Sequence, residues 1–539
     1  MKKNVLALSI TAALVGFAGG AHAIVTPSGA TGDGLVENRN GTGQILLVPY
    51  YTVQGNANTL INLVNTDTAN GKAVKVRFRG AANSDDVFDF QVFLSPNDVW
   101  SANIVQAASG KASLITGDTT CMKPDAANGG VSGREFVTDR LDQTLTAAQL
   151  ANGTREGYIE ILNMADIPSV TSTTSLYYAI KHQAKTAPTP ATPPCANAAW
   201  TALDTTNFAD AAAAITAGLS APTGGIFGNW TIMNTSNATT FSNTANALQT
   251  NNGRFGNIVY WPQTAVAVVN ASNYTADPLL SFGYTSLTAA NVAGTLVPAT
   301  ITAAYYDLPD LSTPYTLLLG GISGNTYNGT ANGPVYEASA LTTSIATSSI
   351  MNEYITDAAL HAATDWVFSM PTRRYSVAYD YTGGQAVYSP LFTSTTQTPF
   401  FVTDNTSVEN RVICVKNITP VAWDREEQSP ASSTGTVISP STPAKPAAFC
   451  GETSVLSFNS VLPTTSSVLS ASVAVKGLLA NAGAYANGWA KLSTPGISLG
   501  LPILGSAFTK ATGPASAPYI LGASWEHRYT RTQASTIQQ

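Results

Sequence analysis

Charge is what this chain lacks most. Asp, Glu, Lys and Arg together make up 11% of its 539 residues, against roughly a quarter in an average soluble domain. No basic block is present that could hold a row of phosphates, which argues against nucleic-acid binding. Histidine is nearly as scarce: beyond His22 there are His182, His361 and His527, scattered along the length, and no spacing suggests a three-histidine metal centre. The four cysteines form no CxxC and no Cys/His cluster, so a structural zinc site is not expected. After Ala23 no run approaches 18 uninterrupted apolar residues, the length that would read as a membrane-spanning helix. Helical patterning is sparse. In place of charge the chain carries Thr, Ser, Asn, Ala and Gly. Such residues suit pleated structure and neutral hydrogen-bonding surfaces, and they leave little repulsion to hold molecules apart.

What is there begins with a leader. Lys2 and Lys3 supply a positive start, Val5 to Ala18 a short apolar run, and Ala21-His22-Ala23 the small residues of a cleavage site. This pattern predicts a signal peptide over residues 1–23 and an exported mature chain starting at Ile24. Losing Lys2 and Lys3 would take the formal net charge from −6 to −8. The length predicts two or three packed units.

An even number of cysteines in an exported chain favours disulfides, and Cys121, Cys195, Cys414 and Cys450 allow three connectivities. Pairing by neighbourhood, Cys121 with Cys195 and Cys414 with Cys450, is the preferred one. The second member of each pair closes a Pro-rich stretch, AKTAPTPATPPC and SPSTPAKPAAFC. A crosslink that ties down a long loop removes the most chain entropy, nominally about 3–4 kcal/mol each.

The fold class read from the pattern is mostly β: antiparallel β-sandwich units with long loops and a few short helices. GQILLVPYYTVQ and NTLINLVNTD read as strands bounded by turn residues. KAVKVRFRG alternates, with Val74, Val76 and Phe78 on one side and Lys75, Arg77 and Arg79 on the other, which predicts a half-buried strand with a wet face. VFDFQVFLSP follows, with Phe88, Phe90, Val92 and Leu94 on one face. Further strands are expected in EGYIEILNM, NIVYWPQTAVAVVN (257–270), ATITAAYYDL (299–308), ATDWVFSMP (363–371) and RRYSVAYDY (373–381). Helix is expected from Thr205 to Leu219 and in part of Glu337 to Leu360. The Pro- and Ser-rich segments 184–198 and 428–448 read as surface loops. The expected division is an N-terminal sandwich-like region over 24–110, a central β-rich region over 111–405, and a C-terminal β-rich region over 406–539 that can pack on the N-terminal strands.

Few residues offer chemistry. Gly496-Ile-Ser498-Leu-Gly500 fits the G-x-S-x-G pattern, but Pro495 precedes it, GLPILG follows, and no Asp lies between Ser498 and His527. A Gly-rich strand turn accounts for it better than a nucleophile elbow, and no enzyme is expected. Asp85, Asp86 and Asp89 form the densest acidic group, and hard oxygens in a turn of an exported protein could hold calcium, with Asn83, Asn65 and Asp67 adding oxygens if the strands pair. A solvated turn explains these acids equally well. Aromatic clusters at 49–51, 259–261, 305–307 and 379–381 could stack on sugars, although alternation puts many such rings inside.

Several phrases taken together, GQILLVPYYTVQ, KVRFRG with DFQVFLSPNDVW, TREGYIEIL, DWVFSMPTRRY, and GLPILG with EHRYTR, resemble a family of exported cell surface proteins of Gram-negative bacteria, some with surface-layer character. The resemblance runs in patches from Gly43 to Arg531 and carries no catalytic signature. It implies a location at the outer cell surface and a structural role. The expected function is therefore a self-assembling surface-layer or envelope-coat subunit, whose partners are copies of itself and the outer cell envelope. The alternative is a secreted binding module or adhesin for carbohydrate or another surface. An outer-membrane barrel is disfavoured by the irregular strand spacing and long loops.

Overall fold

The computed structural model describes residues 35–184, 191–204, 211–250, 258–260, 262–263, 322–323, 326–327, 340–381, 384–388, 400–427, 447–458, 465–472, 475–477, 487–495, 499–513 and 520–531. The expected signal peptide, Ser498, the expected strand at 299–308 and most of the 257–270 and 428–448 segments lie outside these residues.

Thirteen strands build the first half: β1 (Leu35–Glu37), β2 (Ile45–Thr52), β3 (Ala57–Asn65), β4 (Gly71–Gly80), β5 (Asp86–Leu94), β6 (Val99–Gln106), β7 (Ala112–Ile115), β8 (Cys121–Lys123), β9 (Arg134–Glu135), β10 (Glu156–Ile167), β11 (Ile226–Asn234), β12 (Thr239–Thr244) and β13 (Asn246–Thr250). They form two antiparallel sheets, in the order β1-β13-β2-β10-β4-β5-β8 and β12-β11-β3-β6-β7-β9. The sandwich therefore runs well past residue 110, because β10 lies between β2 and β4. The two sheets face each other through period-two side chains. Val74, Val76, Phe78, Phe88, Phe90 and Val92 from one sheet meet Ile61, Leu63, Trp100, Ile104 and Trp230 from the other.

The six-stranded sheet keeps a wet side, as the alternating burial of β3 shows. The seven-stranded sheet does not. All ten residues of β4 and all twelve of β10 are buried. The wet face expected for Lys75, Arg77 and Arg79 is thus corrected: all three are sealed, at most 1% exposed. From farther along the chain, Arg374 of the single turn Arg373–Ser376 reaches Tyr158 and Glu160 beside them, while Leu176–Ile180 and Ala198–Ala202 share an apolar cluster with Ala73, Phe93, Leu162 and Ile167 of the same sheet. The helical expectations hold in reduced form. Ala211–Thr216 is helical, and helix at 340–345 gives way to strand at Ser349–Ile355.

The second half repeats the layered style. One sheet orders Thr406–Glu409, Val412–Asp424, Asn487–Ser493, Ser349–Ile355 and Arg528–Tyr529, with Ala447–Cys450 against Val412–Asp424. The other orders Val475–Gly477, Thr453–Ser457, Ala363–Ser369, Leu504–Thr512 and Ile520–Glu526. Between them lie Ile350, Trp366, Phe368, Val415, Phe449, Phe458 and Leu492. The second of these sheets also turns Val367, Val455 and Phe508 into the first half's core. The Phe508 ring lies 6.4 Å from Tyr50, 6.0 Å from Trp230 and 5.6 Å from Phe241. The halves share apolar packing.

Candidate functional site: a buried ionic seam

The outer face of β4 and β10 carries a dense group of charges. Arg79 Nε approaches Glu160 Oε1 at 3.1 Å, and Arg374 Nη1 donates to the same oxygen at 2.9 Å and to the Tyr158 hydroxyl at 3.0 Å. Arg373, the preceding residue on the same turn, points elsewhere: its Nε lies 2.7 Å from Glu452, and Nη1 donates to the carbonyls of Ile413 at 2.8 Å and Gly451 at 2.6 Å. Arg77 Nε sits 3.0 Å from Asp86, and Lys75 pairs with Asp89. Gln263 bridges the latter pair, accepting from Lys75 and donating to Asp89, each at 2.6 Å.

Burial pushes the carboxyls of Asp86 and Glu452 up, against the opposing pull of Arg77 and Arg373 respectively. Burial also pulls the Lys75 ammonium down, against the support of Asp89. Asp89 ends on the other side: burial raises it, but Lys75 and Arg77 together hold it below the usual carboxylate range. Ions in a low-dielectric interior persist when each is paired and hydrogen-bonded. Apart from the partly exposed Asp89 this group is buried, and its chemistry is that of a clamp. Arg374 reaches back to β10, while Arg373 holds the second half.

The acidic triad is spread over separate partners. Asp86 faces Arg77, Asp89 faces Lys75, and Asp85 accepts from the Tyr381 hydroxyl at 2.5 Å. Among the described residues these three do not bring their oxygens within 4.8 Å of one another. Each acid of the triad is thus engaged by a different side chain of this chain, and the three are not gathered into one oxygen cluster. The missed signal lay in the β4–β5 hairpin register, which sets Arg77 directly opposite Asp89.

The cysteines pair as Cys121–Cys195 (S–S 2.04 Å) and Cys414–Cys450 (2.09 Å). Glu409 joins Cys414 and Cys450 in the one acid/sulfur group found among the described residues, but both sulfurs are committed to the disulfide. The histidines stay apart. His182 is half-buried, 3.6 Å from Asp98, and His361 is exposed on a turn. His527 is 2% exposed and stacks on Phe368 at 5.1 Å. Its Nε2 donates to the Val367 carbonyl at 3.0 Å, and its Nδ1 accepts from the Asn352 amide at 3.0 Å. Burial drives its pKa down to about 3.

The G-x-S-x-G stretch is described from Leu499 onward. Gly500 has φ +76°, and a Cβ there would lie 1.9 Å from the Thr347 carbonyl oxygen. A glycine is demanded by the pairing of Thr347 with Leu501, a structural reason independent of any nucleophile. Among the aromatic clusters, Tyr50, Tyr51, Tyr260 and Tyr379 are all core residues, and 305–307 lies outside the described residues. The exposed aromatic pair is one that sequence reading missed. Trp423 and Trp489 stand opposite each other on adjacent antiparallel strands, centroids 4.3 Å apart and planes 18° from parallel, with Trp489 41% exposed. Alternation in Val421-x-Trp423 and Trp489-x-Lys491 was the available signal, but nothing in the sequence set these two strands side by side.

No family model, characterised protein or solved structure matches this chain.

Proposed function

We propose that this chain is an exported structural protein of the cell envelope that acts by assembling with copies of itself into a surface layer. Export rests on the leader read in residues 1–23. The observation that carries the assembly reading is where the charge lies. At least sixteen of the chain's 58 charged residues (26 basic, 32 acidic) are buried, so the surface is more weakly ionised than an already charge-poor composition suggests. Surfaces of this kind approach one another with little electrostatic cost. Large apolar side chains supply contact points: Trp489, Trp525 (41% exposed) and Leu521 (62% exposed). Purified protein concentrated without detergent should form sheets or tubes in negative-stain images, and its sedimentation coefficient should rise with concentration. A single sedimenting species at all concentrations, with isolated particles on the grid, would overturn the reading.

A further inference from the structure

A polar cavity of about 350 Å³ opens where β1 and β13 meet the chain's last strands. It lies apart from the ionic seam, and the assembly reading makes no use of it. Three guanidiniums line it, from Arg39, Arg528 and Arg531, against two carboxylates, from Glu37 and Glu526. This excess of positive charge stands in a chain whose formal net charge is −6.

The internal partners are unevenly shared. Arg531 Nε is held by Glu37 at 3.1 Å, and Glu526 accepts from the Asn246 amide at 2.7 Å. Arg39 makes no side-chain hydrogen bond or ion pair among the described residues, and Arg528 has only a through-space attraction to Glu526. Both are exposed. A guanidinium presents a planar fork of donors that matches a carboxylate or phosphate in two parallel hydrogen bonds. The neighbouring Glu526 and Asn246 offer what hydroxyl groups need, acceptor oxygens beside an amide donor. The volume is near the small end of ligand sites, which span roughly 300–1,000 Å³. That suits one sugar ring better than a chain of them.

We propose that this cavity binds a single sugar ring bearing a carboxylate or phosphate. The anionic group sits on Arg39 and Arg528, and the ring hydroxyls meet Glu526 and Asn246. Titration calorimetry of the full chain tests this with four probes: glucuronate, glucose 6-phosphate, glucose and inorganic phosphate. Both charged sugars should bind. Glucose should bind at least tenfold more weakly than either, and phosphate at least tenfold more weakly than glucose 6-phosphate. Arg39→Gln and Arg528→Gln should each weaken the charged sugars at least tenfold while leaving the melting temperature in place. Arg39→Lys, which keeps the charge and loses the fork, should fall between. Glucose matching glucuronate, phosphate matching glucose 6-phosphate, no heat from any probe at millimolar concentration, or full binding by both glutamine variants would each overturn the proposal. Sedimentation of the same variants reports on assembly separately, so failure of one reading is distinguishable from failure of the other.

Discussion

Arg374 donates to Glu160 across 214 residues of sequence, at 2.9 Å, with both side chains at most 1% exposed. Glu160 also carries Arg79, so one carboxylate anchors two guanidiniums drawn from different parts of the chain. Removing one member of such a group leaves the others buried without compensation. Arg374→Ala is expected to cost about 3–5 kcal/mol, read as a shift in the urea midpoint. Arg374→Lys should recover only part of that, because one ammonium cannot replace both Nη1, which reaches Tyr158 and Glu160, and Nη2, which donates to the Tyr375 hydroxyl. A loss below about 1 kcal/mol would show that Arg79 alone suffices for Glu160.

His527 gives the fold a defined response to acid. Its folded pKa of about 3 lies below the ordinary imidazole value of 6.5, so the unfolded chain takes up the proton first. The stability it contributes is complete above about pH 6.5 and declines as pH falls towards about 3. Glu156, Asp166 and Glu452 oppose this trend, since burial raises their carboxyls. The histidine's share is therefore read as a difference between wild type and His527→Gln. The gap between their denaturation midpoints should narrow, by several kcal/mol in all, as pH drops through this window. A constant gap from pH 7 to pH 4 would refute the neutral, solvent-free ring.

The disulfides span 74 residues (Cys121–Cys195) and 36 residues (Cys414–Cys450). Chain-entropy reasoning gives about 4 kcal/mol for each, the longer loop exceeding the shorter by less than 1 kcal/mol. Cys121→Ala/Cys195→Ala and Cys414→Ala/Cys450→Ala should then lose similar stability in calorimetric scans. A loss confined to one pair would show that the other closes a loop already ordered in the unfolded ensemble.

Trp489→Ser removes the more exposed half of the indole pair and leaves Trp423 facing solvent. The stability cost should be about 1 kcal/mol. Self-association, measured by sedimentation at rising concentration, should weaken at least tenfold if this patch sits at the centre of a contact. Unchanged association would place the contact elsewhere on the surface.

Legibility in the sequence followed the range of the forces involved. β3, β5 and β10 were readable because period-two alternation and turn residues are local properties, and Phe88, Phe90 and Val92 face inward as alternation required. The cysteine pairs were readable because each links neighbours along the chain. β4 was misread for the same reason that made the others legible. Lys75, Arg77 and Arg79 in alternation look like a solvated face, and what buries them includes Gln263 and Arg374, which come much later. His527, held by Asn352 and Val367, and the Trp423–Trp489 pair owe their settings to partners far away in sequence, and no local pattern announced them.

The late arrival of that cover bears on how the protein is made. β4 and β10 are made before Arg374, so until the second half follows, the sheet's outer face carries only the first half's own pairs, Arg79 with Glu160 and Arg77 with Asp86. Hydrated charges on an unfinished sheet discourage it from sticking to other strands. Glu160, which Arg374 later uses to tie the second half to β10, is thus among the charges that keep the unfinished sheet hydrated.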